Sequence, residues 1–113
     1  MDALSATLVI KALDGLNTRQ QVTAHNIANA STPGFRPLRV TFETALARAA
    51  TTGDVAGVEA RIEPDPAFAG AADGLRLDLE LATSAQTASR YAALVDVLSR
   101  QLQLQSLAMT GGR

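Results

Sequence analysis

Apolar residues along this chain fall into two long helical patterns with a short alternating stretch between them. Val9, Leu13, Leu16, Gln20, Thr23, Ile27 and Ala30 recur with alternating steps of four and three, which is a heptad seam. Leu4 and Leu8 widen the apolar face at the start, while Gln20 and Thr23 dilute it midway. The pattern predicts a helix over about 3–31, roughly 40 Å long at 1.5 Å per residue. Its stop is Ser31-Thr32-Pro33-Gly34. Pro33 lacks an amide proton and disfavours helical geometry at Thr32, and Pro-Gly suits the centre of a type II turn. A second stripe, Ala88, Tyr91, Val95, Leu98, Leu102, Gln105 and Met109, steps by three and four again, with Leu94 and Leu104 beside it. It predicts a helix over about 79–109, closed by Gly111-Gly112. Pairing these two helices with each other or with copies of themselves buries both stripes.

Between them, residues 32–78 read as loop, short helix and strand. Thr41 is placed to cap a short helix through Phe42, Leu46 and Ala49. Thr51-Thr52-Gly53, Pro64-Asp65-Pro66 and Ala69-Gly70 are loop signals. Val58, Ala60 and Ile62 alternate with Glu59 and Arg61, and Leu75, Leu77, Leu79 and Leu81 alternate with Arg76, Asp78 and Glu80. Alternation of this kind suits a small hairpin. Equally, Asp78 suits the cap of the last helix, with Glu80 in its first turn. We read extended chain up to Leu77 and helix from about Leu79. The fold class is therefore mainly α, with two long terminal helices and a small irregular or β middle segment.

Composition adds that the core is thin. In 113 residues about a fifth are alanine, and aromatics are 4%. Alanine favours helix but brings little area to bury, so a single copy needs neighbours for much of its burial. The length suits one domain over residues 1–113. Ten basic and eleven acidic residues give a net charge of −1, which speaks against nucleic-acid binding by phosphate neutralisation. With no cysteine there is neither a disulfide framework nor a thiol nucleophile, and one histidine excludes a multi-histidine metal centre. No apolar run has the length to span a bilayer, so direct membrane insertion is not expected. Asp2 precedes the apolar stretch Ala3–Ile10 and Lys11 follows it, the reverse of a secretory signal; any exit from the cytoplasm is expected without a cleaved signal.

Candidate chemistry is sparse. His25 with Ser31 lacks a fixed acid partner, an oxyanion loop and a nucleophile turn, so no catalytic residue, cofactor site or metal site is assigned and no enzyme is expected. Asn29-Ala30-Ser31 matches a glycosylation acceptor pattern, which at a helix end reads as accidental. Arg36 and Arg39 beside Phe35 are too few for phosphate binding and read as a solvated loop or an interface rim. Asn26 and Asn29 share a helix face three residues apart, where they can bond an adjoining element or simply end the helix.

The segment Ala24-His25-Asn26-Ile27-Ala28-Asn29-Ala30-Ser31-Thr32-Pro33-Gly34-Phe35-Arg36 resembles the signature of bacterial flagellar axial proteins, the rod, hook and hook-associated families. Matching positions are Ala24, Asn26, Ile27, Ala28, Asn29, Thr32, Pro33, Gly34 and Phe35. His25 stands where Asn is usual, and Ser31 where Asn or Asp is usual. At the other end, Glu80-Leu81, Arg90-Tyr91-Ala92-Ala93-Leu94-Val95, Leu98-Ser99 and Leu102 resemble the closing helix of the proximal rod family, FlgB. The short length fits that family better than hook or filament proteins. Asp73-Gly74-Leu75 departs from the asparagines the family often carries there, and the alanine-rich middle matches poorly.

The resemblance implies a structural subunit of the flagellar basal-body rod, a helical polymer that transmits torque for motility. It implies type III export from the cytoplasm and assembly through terminal coiled-coil helices in the periplasm-spanning part of the basal body. Implied partners are other copies of the chain, neighbouring rod proteins, the rod–ring adaptor, the basal-body membrane ring and the export apparatus. The residues expected at interfaces are Val9, Leu13, Leu16 and Ile27 on one seam, and Tyr91, Val95, Leu98 and Leu102 on the other. Asn26, Asn29, Pro33, Gly34 and Phe35 are expected to fix the helix exit and its neighbour contacts. Another proximal rod paralogue, or a free-standing helical adaptor that grips a partner helix in a groove, are the alternatives.

Overall fold

A computed structural model of the chain describes residues 1–68 and 73–111. The first helix, α1, spans Ala3–Ala28. Asp2 caps it by accepting a hydrogen bond from the Ser5 amide at 2.7 Å, which satisfies one of the orphan donors of the first turn. The helix ends at Ala28 rather than at the expected Ser31, because Asn29 takes the C-cap position. Strand β1 (Leu38–Thr41) follows, then α2 (Glu43–Thr52), strand β2 (Arg61–Pro64), a short 3-10 turn at Pro66–Phe68, and the long helix α3 (Asp73–Gly111). Ala69-Gly70 and Gly112, read above as loop and stop signals, lie outside the described residues.

Expectation and structure differ in the middle segment. The hairpin partner of β2 is β1, antiparallel, with Val40 opposite Ile62 and Arg39 opposite Glu63. Arg39 and Glu63 pair at 2.9 Å across the strands. The leucine alternation at 75–81 is helical instead, so neither extended chain to Leu77 nor a cap at Asp78 holds; α3 starts before them. Leu77, Leu79 and Leu81 are exposed, and the buried positions are Arg76 and Glu80, one helical turn apart. Thr41 does not cap α2, since it is committed to the ladder opposite Arg61 and Phe42 takes the cap position.

Helices α1 and α3 run antiparallel. Asn26 meets Glu80, Gln20 meets Ser84, and Met1 lies beside Gln101. At 26 and 39 residues they measure about 39 and 58 Å, so α3 outruns its partner. The seam positions of α1 all face inward or half inward, with Leu16 only 4% exposed. The two terminal helices do pair, but α3 turns a different face to α1 than its apolar stripe. Arg76, Glu80 and Thr87 are buried there, with Thr83, Ser84, Leu94, Leu98 and Gln101 half-buried, whereas Tyr91, Val95 and Leu102 are exposed. The core is small, as the composition implied. Ala12, Leu16, Val40 and Phe42 form it, backed by Val22, Leu46, Ala60 and Leu94.

Candidate functional site

The junction from α1 into β1 is built around Asn26, whose residue is 1% exposed. Its Nδ2 donates to the carbonyl of Leu38 at 2.8 Å and to Glu80 Oε1 at 3.1 Å, while its Oδ1 accepts from the Leu38 amide at 3.0 Å. One side chain thus joins α1, β1 and α3, and uses both donors and its acceptor. Asn29 works locally: its Nδ2 donates to the His25 carbonyl at 2.9 Å, and its Oδ1 accepts from Thr32 Oγ1 at 3.2 Å. The chain then turns through Pro33 and Gly34, with the Phe35 amide donating to the Thr32 carbonyl at 3.1 Å. Gly34 has φ +76°, the left-handed value that a type II turn needs at its third residue. Nothing lies within 4 Å of where its Cβ would stand, so backbone geometry rather than space demands glycine. Phe35 leaves the turn edge-on to the His25 ring, 5.4 Å between centroids, and its carbonyl accepts from Arg76 at 3.4 Å.

A second junction fixes the hairpin to the middle of α1. Arg19 grips both carboxylate oxygens of Glu43, at 2.6 and 2.7 Å, donates to the Val40 carbonyl at 2.6 Å, and lies 4.8 Å over the Phe42 ring. The ring in turn rests against Gly15, where a Cβ would meet Phe42 Cδ1 at 2.6 Å. Arg19 holds the Glu43 carboxyl below its ordinary value, chiefly through these hydrogen bonds. Glu80 moves the other way. Burial raises its carboxyl, the hydrogen bond from Asn26 opposes that, the Asp65 charge adds to it, and Arg76 opposes it.

Two further features concern contacts with other molecules. One flank of the α1–α3 pair is an open groove of about 260 Å³ lined by Leu16, Asn17, Gln20, Thr87, Ala88, Tyr91 and Ala92. Beyond Gln101, α3 continues past α1 with every described side chain exposed, including Leu102, Leu104, Leu107 and Met109.

The residues singled out from sequence therefore separate into distinct environments. Leu16 is buried, while Val9, Leu13 and Ile27 are half-buried along α1. Asn26 is a buried clamp within the chain rather than a surface residue, whereas Pro33 and Gly34 are exposed at the turn with Asn29 and Phe35 half-buried behind them. Tyr91, Val95 and Leu102 stand exposed on α3, and Leu98 is half-buried. No role was read for Gly15, Arg19, Leu38 or Glu43, and Arg76 was read only as part of the leucine alternation. The one available signal was Gly15, an isolated glycine inside an otherwise uninterrupted helical pattern, which often marks close packing.

Known proteins are similar to this junction and its surroundings. Residues 10–36, which hold Gly15, Arg19, the Asn26 clamp and the Pro33-Gly34 turn, match the family described as Flagella basal body rod protein. A flagellar basal body rod protein FlgB from Borrelia hermsii is 50% identical over 46 residues, which is 41% of this chain and 34% of that relative. The match thus spans about a third of the relative's length. It agrees with the family resemblance that the signature carried.

Proposed function

We infer, from a chain that carries the flagellar basal-body rod signature at residues 10–36, a structural subunit of the basal-body rod rather than an enzyme. The observation that carries this reading is the signature junction itself. Its asparagines and its Pro-Gly turn fold into a hydrogen-bonded exit that leads α1 into a hairpin held beside α3. In this reading residues 1–113 act as one rod domain. Val9, Leu13 and Ile27 on the α1 seam, backed from within by the buried Leu16, and the α3 stripe with Tyr91, Val95, Leu98 and Leu102, meet other subunits. Asn26, Asn29, Pro33, Gly34 and Phe35 set the geometry of the exit.

The subunit belongs to the proximal rod in the periplasm-spanning part of the basal body, reached by type III export without a cleaved signal. It packs helically against copies of itself, neighbouring rod proteins, the rod–ring adaptor and the membrane ring, and as part of the rod it transmits torque. No bound cofactor or nucleic acid is needed for that role. The exposed apolar residues of α3 support it, because patches of this kind mark contact surfaces.

Deleting the gene in its source bacterium and complementing with the parent or with Gly34→Val tests the assignment. A β-branched residue at positive φ is strongly disfavoured, so the variant is expected to leave cells non-motile, with basal bodies that lack a rod in electron micrographs. Unchanged motility in the deletion strain overturns the assignment.

A further inference from the structure

We propose that the outer edge of β2 pairs with the same edge of a second copy of this chain, antiparallel about Ile62. The two hairpins then form one sheet across a two-fold axis. The inference goes beyond the rod reading and does not rest on it.

The main-chain geometry leaves one edge of the hairpin open. The Asp65 amide donates to the Pro37 carbonyl at 3.0 Å, one step beyond the ladder. Bonds between the strands therefore fall at Arg39–Glu63 and Thr41–Arg61, and the alternate residues turn their main-chain groups outward. On β1 those groups are taken up by α1: Asn26 bonds both groups of Leu38, and Arg19 bonds the Val40 carbonyl. On β2 the outward residues are Ile62 and Pro64, and no described residue bonds the main chain of Ile62. The Ile62 side chain belongs to a residue that is 54% exposed. An edge of this kind is a template for another strand.

Charge selects a copy of the same strand as the occupant. Antiparallel pairing centred on Ile62 sets Ile62 opposite Ile62, Arg61 opposite Glu63, and Ala60 opposite Pro64. Each Ile62 amide then donates to the other's carbonyl, and the two side chains meet on the face that Val40 turns to the core. The charged groups complete one another. Arg39 directs its bonds, at 3.0 and 2.9 Å, to Glu63 Oε1, which leaves Oε2 for a second cation. Arg61 is exposed and has no ion pair among the described residues. Across the axis each Arg61 faces Glu63 of the other copy, and an Arg39–Glu63–Arg61 row forms on either side. Pro64 has no amide proton and ends the ladder, so the like-charged Glu59 and Asp65 lie beyond the paired region.

Because each copy contributes the same edge, the contact is isologous and closes at two copies. The ladder is short, so the dimer is weak, with a Kd of about 0.1 mM.

Charge reversal and mixing test it, by sedimentation velocity on the purified chain at up to about 1 mM. The parent is expected to pass from monomer to dimer over this range. Arg61→Glu sets glutamate against glutamate, and Glu63→Arg sets arginine against arginine, so each variant alone associates about tenfold more weakly. Their equimolar mixture restores both opposite-charge pairs and is expected to dimerise as the parent does. Ile62→Pro removes the outward amide and keeps the bonds to β1; it is expected to stay monomeric, with a melting temperature within about 4 °C of the parent. A parent that stays monomeric overturns the proposal, as does undiminished association of either charge variant. A mixture no stronger than the variants alone overturns it too. In NMR spectra of the chain, a synthetic peptide of residues 58–66 is expected to shift the Ile62 amide. A scrambled peptide that shifts it equally shows an edge open to any extended strand and overturns self-pairing. None of these readouts depends on rod assembly, so their failure leaves the rod reading standing.

Discussion

The side chain of Asn26 pairs with the main chain of Leu38 as one strand pairs with the next, giving a donor at 2.8 Å and taking one at 3.0 Å. A side-chain amide stands in for a peptide group, so β1 is held to a helix where it has no strand neighbour.

Asn26→Ala strips partners from both polar groups of Leu38 and from Glu80. With buried groups left unsatisfied, a loss of about 3 kcal/mol is expected in urea denaturation. Asn26→Asp should be at least as damaging, because its carboxylate faces the Leu38 carbonyl and Glu80. A loss under about 0.5 kcal/mol for the alanine variant, the size of an ordinary surface change, removes the clamp from the account of this fold.

Gly15 gives a case where two effects oppose each other. In a helix interior alanine is better than glycine by about 1 kcal/mol. Here the added methyl group collides with the Phe42 ring, and overpacking costs about 1–3 kcal/mol. Gly15→Ala is expected to lower the melting temperature, and adding Phe42→Leu to recover part of the loss. A higher melting temperature for the single variant shows that the ring yields without cost.

Glu80 and Glu43 should give opposite pH slopes. The Glu80 carboxyl is raised above 4.5 by burial, so the folded chain holds that proton more tightly than the unfolded one. Its contribution is complete below 4.5 and is lost as pH rises through the folded value. Glu80→Gln keeps an acceptor for Asn26, and is expected to exceed the parent in stability at neutral pH and to flatten this slope. Equal stability of parent and variant from pH 4 to 8 refutes it.

For Glu43 the sign reverses. Arg19 lowers its carboxyl below 4.5, and that stabilisation is present above 4.5 and lost as pH falls through the folded value. Glu43→Gln should therefore cost stability at neutral pH and little in strong acid. Acid and neutral losses of equal size leave the ion pair without a role.

Amide exchange should divide α3 in two. Residues 76–98 hold the buried or half-buried positions Arg76, Glu80, Thr87, Leu94 and Leu98, whereas residues 102–111 are exposed throughout. In dilute solution the second group is expected to exchange much faster, a difference readable by mass spectrometry. Uniform protection along α3 contradicts this division.

Much of this was legible in the chain because it rests on periodicity and turn chemistry. Leu16 and Thr23 lie inward where the heptad seam puts them, and Pro33-Gly34 makes the expected turn. Other features were hidden because polar residues perform what apolar ones usually do. Arg76 and Glu80 form a helix-facing surface amid leucines that point to water, so the leucine alternation suggested a strand. β1 was obscured for a similar reason. Pro37 and Arg39 resemble loop residues, and the strand depends on Asn26 and Glu63, partners distant in sequence. Asn26 itself was singled out, but its partner at Leu38 is a backbone group, which no side-chain pattern reveals.

Helix α3 spans nearly the full 65 Å length of the molecule, and its polar attachments run from Arg76, Glu80 and Ser84 near its start to Gln101, which accepts from the Met1 amino group at 2.9 Å. Mechanically it is a strut held along its length, with only the turns after Gln101 free. Its links at the two ends differ: the Met1–Gln101 bond joins it to the first residue of the chain, whereas the Glu80–Asn26 bond joins it, through one side chain, to the backbone of β1. Load on the strut is thus handed to the hairpin at the same side chain that shapes the bend after α1.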